Sequence, residues 1–131
     1  MQPLGNLSEL IYSSTRFVVG FTFALHGAQK LFGVLDRDAV DLFSRLGVAG
    51  VVEFFGGALI SLGLYTPWVA FVASGQMAVA YFTAHSPRGF WPVTNGGEAA
   101  VLYCFVFLYF ASRGSGPLSL DRIIRRQRSE E

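Results

Sequence analysis

The side chains able to do chemistry in this sequence are His26, Gln29, Lys30, Glu53, His85 and Glu98, with Arg16 set apart from them. Each falls within or at the end of a long apolar run, where a polar group costs free energy unless it faces a bundle interior, pairs, or reaches an interface. An imidazole and an ammonium can hydrogen-bond a carbonyl oxygen, and a carboxylate beside them can take up or give back a proton. The same groups can also satisfy one another as an internal ion pair. Two histidines and two carboxylates could ligate a transition metal, but they stand singly, with no His-x-x-His or Glu-x-x-His pair, so no metal site is expected. A nucleophile elbow is missing, and Gly56-Gly57 lies inside an apolar run, so it is not a phosphate loop. Asp36, Asp38 and Asp41 lack the glycine and closing glutamate of an EF-hand and read as solvated caps. Cys104 is the only cysteine, which excludes an internal disulfide and two-cysteine redox chemistry.

The elements that must position these residues follow from composition. A chain of 131 residues is one domain by length. Its 52% hydrophobic content, 15% charged content and mean hydropathy of +0.44 exceed what a soluble core of this size needs. The fold expected is all-α: an integral membrane, antiparallel four-helix bundle forming a single domain over 1–131, with spans at 10–32, 48–64, 67–84 and 97–111 and a basic tail at 112–131. At about 1.5 Å per residue the first run crosses a hydrocarbon core of about 30 Å easily. The other three stand upright, extend into their flanks, or thin the bilayer. Residues 34–47 are expected to hold a short interfacial helix capped by Asp38. Pro67 starts the third helix after a tight turn, and Phe90 and Trp91 suit a headgroup-level lid before the fourth.

The N-terminus has no basic n-region, so the first helix is expected to be retained. Four spans put both termini on one side. Arg113, Arg122, Arg125, Arg126 and Arg128 lie on that side, against Arg37, Arg45, Arg88 and Lys30 on the other. The positive-inside rule then predicts a multi-pass protein of the plasma (inner) membrane with both termini cytoplasmic. Nucleic acid is not expected as a partner.

This topology brings His26, Gln29, Lys30, Glu53, His85 and Glu98 to the outer half of the bundle, with His26 and Glu53 at matching depth. Gly50, Glu53, Gly57 and Ser61 share one face of the second helix; Arg16, Gly20, Phe23, Gly27 and Lys30 share one face of the first. Both faces read as interior, closely packed through small residues. Each polar residue has an alternative role. Glu53 can be a structural partner of Lys30 or His26, Glu98 can close a capping box with Asn95, Lys30 can snorkel to headgroups, and His85 can be an interface residue. Gln76 is expected to make an interhelical hydrogen bond. Arg16 has no acid at its depth in the other spans. It either reaches Glu9, a lipid phosphate or the exposed carbonyls of the second turn, or it clamps a polar ligand head or a partner subunit.

Nearly the whole chain resembles the DoxX family of small four-span membrane proteins. The resemblance is carried by Arg16; by His26-Gly27 and Gln29-Lys30-Leu31-Phe32-Gly33; and by Glu53 with Gly56-Gly57 and Gly63-Leu64. It continues in Asn95-Gly96-Gly97-Glu98, then Gly114-Ser115-Gly116 and Ser119-Leu120-Asp121. Leu118 stands where an aromatic residue commonly precedes the serine. The resemblance implies quinone-linked redox work or oxidative-stress defence, in some members as the membrane subunit of a larger oxidoreductase. On that basis the polar cluster would hold the head of a quinone or similar lipophilic compound, with Phe23, Phe54, Phe55, Phe90 and Trp91 as apolar walls. No residue here stores electrons, so a redox step needs a donor on a partner subunit. The rival expectations are a structural or assembly protein with a buried ion-pair network, and a small-solute carrier acting as a homo-oligomer.

Overall fold

The computed structural model describes residues 3–130 and contains no strand among them. A turn of 3-10 helix, Gly5–Leu7, leads into α1 (Ser8–Phe32), followed by α2 (Arg45–Leu62) and α3 (Thr66–Ala80). The third helix widens at its end into a π turn, Tyr81–His85. A short helix α4 (Pro92–Asn95), the long α5 (Glu98–Arg113) and a separate tail helix α6 (Leu120–Ser129) complete the chain. The four long helices lie over the four apolar runs, with ends displaced by a few residues. One of them, α2, is by itself long and apolar enough to cross a membrane.

The helices pair as α1 with α2 and α3 with α5, and α2 joins the two pairs through its contacts with α3. Small residues allow the first pairing. A Cβ built on Gly57 would stand 2.4 Å from the Ala24 nitrogen, and one on Gly27 would stand 2.2 Å from the Phe54 nitrogen. The two backbones therefore touch, as they do in small-residue helix pairs generally. The second pairing is made by side chains: Ala70, Ala73 and Met77 of α3 and Phe107 and Phe110 of α5 are buried together with Phe23 and Ile60.

Around the apolar core, several polar side chains are buried and many large apolar ones are not. Arg16, Glu53, Ser13, Ser61, Ser74 and Asn95 are buried, while Phe17, Phe21, Phe55, Phe71, Phe82 and Phe105 all face outward. Exposed large apolar residues stand on all four long helices, beyond the scattered few that are ordinary on a protein surface.

Two local expectations are corrected. Residues 34–41 form no helix, because Leu35 and Asp36 take left-handed conformations (φ 54° and 59°) that a right-handed helix cannot include. Ser44, rather than Asp38, is the cap: its hydroxyl accepts from the Gly47 N–H at 3.0 Å and starts α2. The Asn95–Glu98 capping box also does not form. Glu98 is the first residue of α5, behind Gly97, and Asn95 accepts from the Gly97 N–H at 2.8 Å while donating to the Gly89 carbonyl at 2.7 Å.

Candidate functional site

The polar residues divide into three groups. At the centre, between α1, α2 and α3, Lys30 Nζ donates to both Glu53 oxygens at 2.5 Å. Gln76 Nε2 donates to Glu53 Oε1 at 3.0 Å. Glu53 is only 3% exposed and the Lys30 side chain 13%, so the charges compensate each other with little help from solvent. A buried carboxylate left without such partners would be strongly unfavourable. Gly50 is what lets Lys30 lie flat here, since a Cβ at that position would stand 3.0 Å from the Lys30 Cβ. The Gln76 Oε1 atom is buried and has no partner among the described residues.

His26 is not part of this group. It is exposed on α1 and meets α5 instead, with its ring edge-on to Tyr103 at 6.2 Å between centroids. Gln29 is used locally: its amide donates to the Leu35 carbonyl at 3.0 Å and holds the left-handed loop after α1.

The second group lies where α3 ends. Tyr81 donates to the Phe90 carbonyl and accepts from Asn95 Nδ2 at 3.3 Å. Arg88 donates to the Asn95 carbonyl at 2.8 Å and lies 3.1 Å from His85 Nδ1. The loop is thus tied to the π turn, and π turns are frequent at functional sites. Glu98 is exposed nearby in the first turn of α5, where a negative charge suits the helix N-terminus.

Beside that loop, Met77, Tyr81, Phe82, Phe90, Trp91 and Phe105 line most of a cleft of about 410 Å³ between α3 and α5, with Ala78, Pro92, Ala100, Val101 and Cys104 completing the lining. Phe90 and Trp91 pack edge-to-face at 5.3 Å within that lining. Their expected companions lie elsewhere. Phe23 is a core residue packed 4.6 Å from Phe107. Phe54 and Phe55 form an edge-to-face pair at 5.2 Å, with Phe55 exposed. The aromatic residues therefore do not enclose the Lys30–Glu53 pair.

The third group is at the opposite end, around Arg16. Its guanidinium is 2% exposed and donates to the carbonyls of Ile60 at 2.6 Å and Ser61 at 2.9 Å, and to that of Leu118. Those α2 carbonyls are among the last four, which have no partner inside their own helix, and a cation is favoured there by the helix dipole. Gly63 makes room: a Cβ on it would stand 2.7 Å from Arg16 Nη1. The tail docks over this point through Asp121, whose side chain accepts from the Tyr65 N–H at 3.1 Å and from the Ser115 hydroxyl. Leu118 contributes its carbonyl while its side chain is 60% exposed, so an aromatic residue is not needed for the docking.

No group of three or more potential metal ligands occurs among the described residues. The comparisons with known proteins give one family: residues 12–86 match the model named DoxX. An uncharacterized protein of Haemophilus influenzae is 42% identical, with 81% of this chain and 84% of that protein aligned. A second uncharacterized protein of the same organism is 25% identical over 96% of this chain and 89% of its own length. No solved structure matches.

Proposed function

Because the chain belongs to the DoxX family, we propose that it is a membrane-embedded bundle that receives a quinone-like lipophilic ring compound between α3 and α5. The carrying observation is the aromatic cleft that Phe90 and Trp91 help to line. It is flanked by the helix pair that lacks backbone-to-backbone glycine contact, and rings stack favourably on such walls. The exposed apolar side chains on all four long helices support placement in a bilayer. Both termini then face the cytoplasm of the inner membrane, where the arginines of α6 lie.

On this reading Lys30, Glu53 and Gln76 hold α1, α2 and α3 in place, and the ring's polar edge meets the Tyr81–His85–Arg88 loop. The protein acts as a subunit, since electrons for the ring must come from a flavin, metal or sulfur donor on a partner. A second reading, a structural or assembly protein, is favoured by the closure of the Lys30–Glu53 pair at 2.5 Å; it needs no ligand.

Tryptophan fluorescence separates the two, because Trp68 and Trp91 sit at opposite ends of the bundle and quinones quench indole emission. With Trp68→Phe as background, a short-chain ubiquinone analogue titrated into reconstituted protein is expected to quench Trp91 to saturation. Ala78→Leu, which adds bulk to the cleft lining, should abolish the saturable part. Quenching that rises linearly and ignores Ala78→Leu would leave the structural reading.

A further inference from the structure

Helix α1 carries a second regular face, opposite the one it buries against α2. Ser8, Thr15, Thr22 and Gln29 recur along it at intervals of seven residues. Three positions after each stand Ile11, Val18, Leu25 and Phe32, all exposed. At 100° per residue both sets fall within a sector of about 120°, centred on the far side of the helix from Gly20 and Gly27. The charged residues of α1, Glu9, Arg16 and Lys30, lie outside that sector. A straight helix drifts by about 20° per heptad, so a strict seven-residue repeat stays in one seam only when the helix coils around a partner.

Polarity gives an independent observation. Away from their end turns, α2, α3 and α5 expose apolar residues, Gly75 and Tyr109, whose hydroxyl accepts from Arg113 at 3.2 Å. Helix α1 differs: Ser14, Thr15 and His26 are exposed in its middle turns, and Thr22 is half-buried. Thr22 donates to its own Val18 carbonyl at 2.9 Å, which leaves its oxygen able to accept. Thr15 has no hydrogen-bond partner among the described residues. Acyl chains offer such groups nothing, whereas a neighbouring helix satisfies them.

We propose that this face of α1 is the contact between two copies of the chain, packed α1 against α1 about a two-fold axis along the membrane normal. The inference rests on the membrane placement argued above and not on a ligand in the α3–α5 cleft, which no α1 residue lines. Copies inserted the same way run parallel, so each seam residue meets its own counterpart. A hydroxyl both donates and accepts, so Thr15 and Thr22 each complement themselves across the axis. No formal charge stands in the seam, so a second copy brings no like charge against itself. These two properties select a second copy as the occupant.

The test places a single cysteine at Val18 or, as a control, at Val72 on the exposed face of α3, in the full chain carrying Cys104→Ala. Native membranes are then oxidised with copper phenanthroline. The Val18→Cys chain should run at twice the chain mass, and the Val72→Cys chain should stay single. Thr15→Val/Thr22→Val keeps the branched shape and loses both hydroxyls. It should weaken association in detergent about eightfold, the factor for two interhelical hydrogen bonds of average strength. In a chain that resists carbonate extraction, equal crosslinking at both positions, or at neither, overturns the inference alone. A chain that carbonate extracts overturns the membrane placement and this inference with it. A Val18→Cys product of any other mass assigns the seam to a different subunit. Unchanged association in the double threonine variant removes the contacts that select a second copy. Either of these last results overturns the assignment.

Discussion

Helices α1 and α2 meet backbone to backbone, whereas α3 and α5 meet through their side chains. Along the first seam Gly20, Gly27 and Gly57 leave no room for a methyl group, and a charged residue fixes each end: Arg16 on the α2 carbonyls, Lys30 on Glu53. Along the second, Phe107, Phe110 and Met77 fill the interior, and the polar contact between the helices is one hydroxyl, Ser74 on the Cys104 carbonyl. The glycine seam is tight where Gly20, Gly27 and Gly57 meet the facing backbone, with an apolar groove of about 390 Å³ along its edge beside Phe17, Phe21 and Phe54. The aromatic seam is closed by side chains, and the cleft that Phe90 and Trp91 help to line lies along it. The α1–α2 half is thereby joined by backbone contact and end charges, and the α3–α5 half is the one that the proposed function assigns to a ligand.

The largest effect expected is at the α1–α2 seam. Gly57→Val puts branched carbon against the Ala24 nitrogen and the Gly20 carbonyl, 2.4 and 2.5 Å from the Cβ position. Backbone cannot yield as a side-chain tip does, so the loss should exceed about 3 kcal/mol, read as failure to purify a monodisperse bundle. The matched change on the other half is Gly75→Ala on α3, where nothing lies within 4 Å. It should be neutral or stabilising by up to about 1 kcal/mol through helix propensity. Equal damage from both would erase the distinction between the halves.

Next comes the charged contact. Lys30→Met leaves Glu53 buried with only Gln76 beside it, and one-sided removal of a buried partner costs about 3–5 kcal/mol. Adding Glu53→Gln removes the orphaned charge, so the double variant should recover most of the loss in detergent unfolding. A double variant as damaged as the single one would mean that the charge itself is required, beyond its role in joining α1, α2 and α3.

The same contrast separates what the sequence discloses from what it hides. The glycine seam is legible because its signals are residue types at helical spacing: the glycine stripe of α2 and the Arg16–Lys30 face of α1 are the buried faces observed. Lys30, Glu53 and Gln76 are recognisable as polar residues that must find partners in an apolar run. Comparing depth misled for His26, because depth ignores azimuth. At 100° per residue His26 stands about 80° from Arg16, off the inward face and toward Tyr103. For Arg16 the exposed carbonyls are one of several alternatives, and they are the partners observed; side-chain types cannot select them, since every residue carries a backbone carbonyl. The loop after α1 was hidden by Leu35, whose left-handed φ is uncommon for its type. The cleft assembles Tyr81 and Phe82 with Phe105, which share no local motif.

The smallest effect tests whether the α3–α5 half is held by polarity at all. Ser74 Oγ donates to the Cys104 carbonyl at 2.7 Å, and that carbonyl lies mid-helix, where it already accepts from its own α5. Removing the hydroxyl in Ser74→Ala therefore orphans nothing, unlike Lys30→Met. Its cost should be about 0.6 kcal/mol, the mean for interhelical hydrogen bonds in membranes, measured by the same unfolding assay. Saturable quenching at Trp91 should persist, because the cleft walls do not include Ser74. A loss above about 2 kcal/mol would mean that this half, too, hangs on a polar contact, and the cleft would then have to be read as a packing defect rather than as a ligand site.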